Sequence, residues 1–316
     1  MNKAMVKGAH GDVRQLIEQN RRTFKLSTWI ERFMPYLLFM IAAISVLITM
    51  GILYTLLSNA VAFFKEVPLL KFLTGTQLKP LGDDAQYGVL PLMTGTVLSS
   101  AIAMMVAIPI GLMAAIYLSE YAPNRARRIL KPVLEVLAGV PTIVYGFFAF
   151  TFVTPLLQRF IPGLEPTNIL SPGLVMGIMI IPIVASLSED ALSAVPQSIR
   201  EGALALGATR LEVTWNVVVP AALSGIMASF VLGISRAIGE TMIVTIASGS
   251  SKNFTFDITQ SMQTMTAYIV EVASGEAAAG TTVYYSLYGV AITLFIFTFL
   301  INRVAHFLSQ RFREGY

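Results

Sequence analysis

EGALALGATRLEVTWNVVVPAAL, residues 201–223, lies between two strongly apolar segments. It opens on an acid, breaks at Gly207, carries Arg210 and Glu212, and closes on Pro220. A chain made for lipid has no need of charge here unless the stretch stays outside the bilayer. Whether it is a loop between two crossings therefore decides the fold, and the answer depends on what flanks it.

The flanks are apolar along most of the chain. Of 316 residues, 55% are hydrophobic and only 13% are charged. Soluble domains carry about 25% charged residues, so the composition predicts a multispanning membrane protein. There is no cysteine, hence no disulfide and no thiolate chemistry. The formal charge of +4 is small, and no basic run is interleaved with aromatics. Nucleic-acid binding has no support, and the expected non-protein partner is membrane lipid.

A helix needs roughly 20 apolar residues to cross the hydrocarbon. Six segments qualify: 35–57, 88–118, 133–157, 171–189, 218–247 and 284–305. The expected fold is all-α, a polytopic membrane protein with about six transmembrane helices. No apolar core precedes residue 34, so the first run reads as an uncleaved signal-anchor. Pro109, Pro141, Gly146 and Pro182 fall inside spans, where neighbouring helices can re-satisfy the backbone.

Lysine and arginine set the orientation. Sixteen lie in the N-terminal segment, the 119–132 loop, the 190–217 loop and the C-terminal tail; five lie in the alternate loops. That bias predicts cytoplasmic termini in a bacterial inner membrane. The expected organisation is a basic cytoplasmic segment 1–34, a first helix 35–57 and an extracytoplasmic loop 58–87. A core permease domain 88–305 follows, with a cytoplasmic loop 193–220 inside it and a tail 306–316 after it.

Within 193–220, Pro196 suits a first helical turn with Ser193 or its neighbours as cap. Gly207 suits the helix end, and Thr209 can cap a second short helix. Ile199, Ala203 and Leu206 fall at i, i+4 and i+7, an apolar stripe. Two short helices joined at a glycine either lie along the membrane surface or offer a face to a soluble partner. Periodicity leaves both readings open.

The residues themselves resemble a known signature. Glu201, Gly202 and Ala203, then Gly207 after three residues, then Val217, Val218, Val219 and Pro220 after nine more, are similar to the EAA loop of ABC-transporter permeases. Gly202, Val217 and Val219 depart from the usual Ala, Ile and Leu. The resemblance implies the ABC type I importer permease fold. It also implies that this loop is a coupling helix, with Arg200, Glu201, Gly202, Ala203, Leu204, Ala205, Leu206 and Gly207 meeting a cytoplasmic ATPase.

YLSEYAPNRARRILKPVLEVLAGVPTIVYGFFA (117–149), SEDALSAVPQSIREGALALGATR (188–210) and SRAIGETM (235–242) resemble the permeases of phosphate ABC transporters. The ending GEAAAGTTVYYSLYGVAITLFIFTFLIN (275–302) is more similar to the PstC kind than to the PstA kind. The resemblance implies a PstA-like partner permease, two cytoplasmic ATPase subunits and an extracytoplasmic phosphate-binding protein. No G-x-x-x-x-G-K-[ST] loop is present, so the chain is expected to be no enzyme and to bind no cofactor. ATP and magnesium belong to the partner ATPase. Permeases for molybdate, sulfate or phosphonate, the PstA-type half, and a non-transporting signalling scaffold are the alternatives.

Arg236 lies inside a span. A lone cation there costs at least about 2.5–3.5 kcal/mol, so it is expected to face protein or water. Counted from Pro220, it stands about 24 Å along an unbroken helix. Glu240, at i+4, reads as its ion-pair partner. That pair is either a packing device or part of an oxyanion path, to which guanidinium is suited. In the phosphate family the arginine and the glutamate are transport residues, which carries over to Arg236 and Glu240, with Thr241 beside them.

Lesser expectations complete the reading. Pro141 either opens the third span for substrate or kinks it. Glu189 and Asp190 are solvated acids, or bind the 193–220 loop. Segment 257–274 is a helix resting on the outer surface or contacting a delivery protein. His10 and His306 are isolated, so no metal site is expected.

Overall fold

The structure, a computed structural model, describes the backbone of residues 4–82, 84–275 and 277–311, and the side chains from Glu31 onward except 306 and 308–311. The chain divides into two units, residues 1–58 and residues 59–316.

Helix α1 runs Ala4–Glu66. The expected first span, 35–57, is therefore the middle of a longer helix, and Pro35 does not interrupt it. From Glu31 to Ser58 nearly every side chain is exposed, including Phe39, Leu47 and Ile48. An all-apolar exposed helix is stable only where lipid or other apolar surface replaces water.

In the second unit, helix α2 (Leu69–Thr74) is followed by two short strands, β1 (Leu78–Lys79) and β2 (Gln86–Tyr87). The strands pair antiparallel, Leu78 with Tyr87. The expected loop 58–87 is thus structured, because it has apolar side chains to bury. Phe63, Phe72 and Leu78 pack with Val89, Leu92, Tyr268 and Val290.

Helix α3 (Leu90–Ile116) leads into a π-helical turn, Tyr117–Tyr121. Helices α4 (Asn124–Gly139), α5 (Thr142–Phe148) and α6 (Thr154–Gln158) follow, the last two joined by a π-helical turn at Ala149–Val153. The expected continuous span 133–157 is broken here. The Asn124–Gly139 and Thr142–Gln158 segments meet at 88°. Val140 and Pro141 are both extended, with ψ of 129° and 135°. A residue before proline is driven out of the helical region, so of the two readings the helix is opened here and not merely kinked. The Tyr145 hydroxyl closes the corner by donating to the Leu137 carbonyl at 2.8 Å.

Helix α7 (Leu170–Ser193) packs along α3. Their backbones approach so closely that a Cβ on Gly177 would stand 2.8 Å from the Ala103 carbonyl oxygen and 2.7 Å from Val106. Small residues that admit such contact are how helices associate where burial from water offers no drive. Met176, Met179, Ile180 and Val184 of α7 form a core with Ala103, Met104 and Ala107 of α3.

Then come α8 (Gln197–Ala205), α9 (Arg210–Val213), a π-helical turn at Thr214–Val218, α10 (Val219–Ala221) and α11 (Leu223–Ile238). The Arg210–Ala221 and Leu223–Ile238 segments meet at 69°. Pro220 has no N–H to give, and the chain turns just after it. The last elements are α12 (Met242–Ala247), α13 (Met265–Ser274) and α14 (Thr282–Arg311). The expected span 218–247 therefore ends at Ile238, and α12 is a separate helix.

Helix α13 is no surface helix. Residues Met262 to Tyr268 are all buried, and the Met265 N–H donates to Thr96 Oγ1 at 3.0 Å. Four described helices are long and apolar enough to cross a membrane, and six if each bent pair is one span. The all-α polytopic fold stands, with four unbroken candidate crossings and two bent pairs among the described residues.

Candidate functional site

The loop that opened the sequence forms a compact helical hairpin. Pro196 precedes α8 with ψ of 138°, so the proline sits just outside the helix, and no side chain caps it. At the other end Gly207 adopts φ of +91°, which only glycine takes readily. The Gly207 N–H donates to the Leu204 carbonyl at 3.0 Å and the Ala208 N–H to the Ala203 carbonyl at 3.3 Å. This is a Schellman closure. Thr209 and Glu212 then cap α9 reciprocally: the Glu212 N–H donates to Thr209 Oγ1, and the Thr209 N–H donates to Glu212 Oε2 at 2.8 Å.

Of the eight residues expected to meet an ATPase, six are exposed: Glu201, Gly202, Leu204, Ala205, Leu206 and Gly207. Leu206 is 91% exposed at the tip. Ala203 is half-buried against the cluster formed by Leu192, Val195 and Val213. Ile199 and Leu206 are exposed while Ala203 packs inward, so the predicted stripe does not form a single buried face. Arg200 also turns inward. Its Nη2 donates to Glu120 Oε1 at 3.1 Å and to the Leu192 carbonyl at 2.7 Å.

A second charged group lies between α4 and α7. Glu189 is only 1% exposed and pairs with Arg127 and, at 3.2 Å, with Lys131. Asp190 is 64% exposed, 3.7 Å from Lys131. Glu189 is thus neither solvated nor bound to the 193–220 loop. The cations of α4 cancel its charge, which is what permits its burial.

Arg236 and Glu240 are placed differently from expectation. Arg236 occupies the last turn of α11 and is exposed, with Nη2 4.0 Å from the Met179 sulfur. The helix stops at Ile238, so the i+4 geometry is lost and no ion pair joins Arg236 to Glu240. Glu240 is 9% exposed, and its Oε1 accepts from the N–H groups of Met242 at 3.1 Å and Ile243 at 3.4 Å. Thr266 Oγ1 donates to the Glu240 carbonyl at 2.7 Å. Each charge therefore meets a helix end of opposite sign: Arg236 the carbonyl end of α11, and Glu240 the N–H end of α12. Thr241 is half-buried, and its hydroxyl donates to the Gly239 carbonyl at 3.3 Å. The path length of about 24 Å along one straight helix also fails, because the chain bends at Ala222.

Sequence reading missed Glu120, Arg127, Lys131 and Thr266 as partners in these sites. Glu120 and Arg200 are 80 residues apart, and nothing local marks them as a pair. Among the described residues, no group of three or more His, Cys, Asp and Glu side chains could hold a metal ion. The side chains of His10 and His306 lie outside the described residues.

The bent apolar spans, the exposed helical hairpin and the arginine inside a span together define a membrane transport subunit. Residues 107–314 match the family described as binding-protein-dependent transport system inner membrane component. The chain belongs to that family, and it is a multi-pass inner-membrane permease. It is 32% identical to the probable ABC transporter permease protein YqgH of Bacillus subtilis, over 87% of each chain. It is also 32% identical to the phosphate transport system permease protein PstC of Haemophilus influenzae, covering 95% of this chain and 99% of that one. A solved bacterial ABC transporter involved in the import of the acidic polysaccharide alginate shares its fold, with TM-score 0.64 at 14% identity, over 91% of this chain and 99% of that chain.

Proposed function

We propose that this chain is the PstC-type half of an ATP-driven importer of inorganic phosphate. In this reading a PstA-like permease completes the pathway, one of two cytoplasmic ATPase subunits docks on the exposed tip of α8, and an extracytoplasmic binding protein delivers phosphate. ATP and magnesium act on the ATPase subunits, and this chain supplies the path and the lever. The termini and the α8–α9 hairpin face the cytoplasm, in line with the placement of Lys and Arg.

The observation that carries the substrate reading is Arg236. It is an exposed guanidinium on an apolar span, with no carboxylate partner. Against lipid it would cost at least about 2.5–3.5 kcal/mol, so it faces water or a partner chain. A planar guanidinium binds a tetrahedral oxyanion by paired, charge-assisted hydrogen bonds. The curated relatives named as phosphate permeases support phosphate over other oxyanions. Glu240 then shapes the path by holding the start of α12, with Thr241 beside it.

ATP-dependent phosphate uptake into proteoliposomes holding all subunits tests this. Arg236→Ala should abolish uptake while ATP hydrolysis and subunit assembly persist. Uptake at the unmodified rate would remove Arg236 from the path, and competition by molybdate or sulfate stronger than by phosphate would change the solute.

A further inference from the structure

Arg200 is the charged residue of the hairpin that does not point outward. Its side chain is 14% exposed and that of Glu120 is 13% exposed. One nitrogen, Nη2, donates both to Glu120 Oε1 at 3.1 Å and to the Leu192 carbonyl at 2.7 Å. Glu120 lies in the π-helical turn that ends α3, and Leu192 lies in the last turn of α7. Ser119 Oγ also donates to Glu120 Oε1, at 2.9 Å, and so holds the carboxylate from its own side. Arg200 thus bonds simultaneously to both members of the close-packed α3–α7 pair.

Beyond that bond α8 is held through Ala203, half-buried against Leu192, Val195 and Val213. None of its side chains is buried. It is flanked by Pro196, which is extended, and by Gly207 at φ of +91°. Without Arg200, a push on Leu206 would reach α3 and α7 only through the apolar contact of Ala203. With Arg200 bonded, the same push displaces the ends of α3 and α7 together.

We infer that Arg200, Glu120 and the Leu192 carbonyl form a joint that transmits displacement of the hairpin to the spans. Arg200 acts as a positioning residue and not as a contact to the ATPase, and Glu120 belongs to the coupling apparatus although it lies far from the hairpin in sequence. Arginine suits the joint because a planar, always-charged guanidinium holds Nη2 against the carboxylate and the carbonyl at once. The inference rests on the proposed ATP-driven transport, and it deepens that reading.

The test is made on the whole transporter, with ATP hydrolysis and phosphate import measured in the same proteoliposomes. Glu120→Gln and Arg200→Gln should each keep the ATPase subunits on co-purification and keep hydrolysis, while phosphate imported per ATP falls roughly tenfold. The double variant should be no worse than the worse single one, because the two residues serve one joint. Arg200→Lys should fall between. Unchanged import per ATP in both single variants overturns the joint. So does additive loss in the double, or loss of the ATPase subunits in Arg200→Gln alone, which would make Arg200 a docking contact.

If the unmodified assembly hydrolyses ATP without importing phosphate, the phosphate reading falls, and the joint is then read by distance. The chain has no cysteine, so Gly202→Cys and Met105→Cys accept spin labels cleanly. Both positions are exposed. The distance distribution between them should broaden when Glu120→Gln is added, and an unaltered width overturns the joint whatever the solute.

Discussion

Arg236 and Glu240 stand four residues apart yet serve different helix ends. Glu240 turns its carboxylate back onto the amides of Met242 and Ile243, and Arg236 turns outward beside the Met179 sulfur. The break at Gly239 separates them. The cation at the end of α11 is consequently left without a carboxylate partner, and the acid is committed to structure.

This separation predicts additive energetics. Glu240→Ala should lower stability by about 1 kcal/mol, the usual cost of a lost helix cap. Arg236→Ala should leave thermal unfolding in detergent nearly unchanged. The two effects should sum within about 0.5 kcal/mol in the double variant, since the residues share no partner. A coupling well above that would show that they pair after all.

The Glu189 cluster predicts the opposite behaviour. Either Arg127 or Lys131 alone can neutralise the buried carboxylate, so Arg127→Ala and Lys131→Ala should each be mild. Removing both strands a charge that is 1% exposed, and the double variant should lose about 3–5 kcal/mol. Calorimetry on the three variants checks this, and equal, additive losses would count against charge neutralisation as the reason for the cluster.

Leu206 separates folding from partnership. It is 91% exposed, so Leu206→Glu should change the stability of the chain by less than about 0.5 kcal/mol. In the assembled transporter the same change should release the ATPase subunits on co-purification. Retention of those subunits would move the docking surface away from the tip of α8.

Asp257 predicts a local response to acid. Its carboxylate accepts from Thr259 Oγ1 at 2.7 Å, from the Thr259 N–H at 3.0 Å and from Gln260 Nε2 at 3.1 Å. The hydroxyl and N–H of Thr259 hold its carboxyl below the ordinary 3.8. A depressed value means that the stabilisation is fully present above 3.8 and is lost as pH falls through the lowered value. Protection of the Thr259 amide, its exchange rate relative to an unstructured amide at the same pH, should therefore hold as pH falls to 3.8 and be lost only below it. Asp257→Asn should abolish that pH dependence, and an unchanged profile in this variant would assign the protection to other groups.

The hairpin was legible in the sequence because its determinants are local. Gly207 is needed for a positive φ, and the spacing of Thr209 and Glu212 makes a capping box in any surroundings. At Pro141 the sequence left a kink and an opened helix both standing. A proline before an apolar run says that the helix is disturbed, but the size of the bend depends on what the two halves pack against. The outer segment 257–274 read as a surface helix because its amphipathicity is modest, and only the packing of Tyr268 with Phe63 and Phe72 shows that it is inserted.

The sequence by itself determined that this chain lies in a membrane, which of its segments are apolar enough to cross it, and where its helical hairpin turns. Those follow from run lengths of apolar residues and from backbone rules that act within a few positions. Tertiary structure alone decided which charges meet. Arg200 with Glu120, and Arg127 with Glu189, are joined by the packing of α3, α4 and α7 across many residues of intervening chain. Coulomb attraction depends on distance in space, and distance along the chain does not supply it.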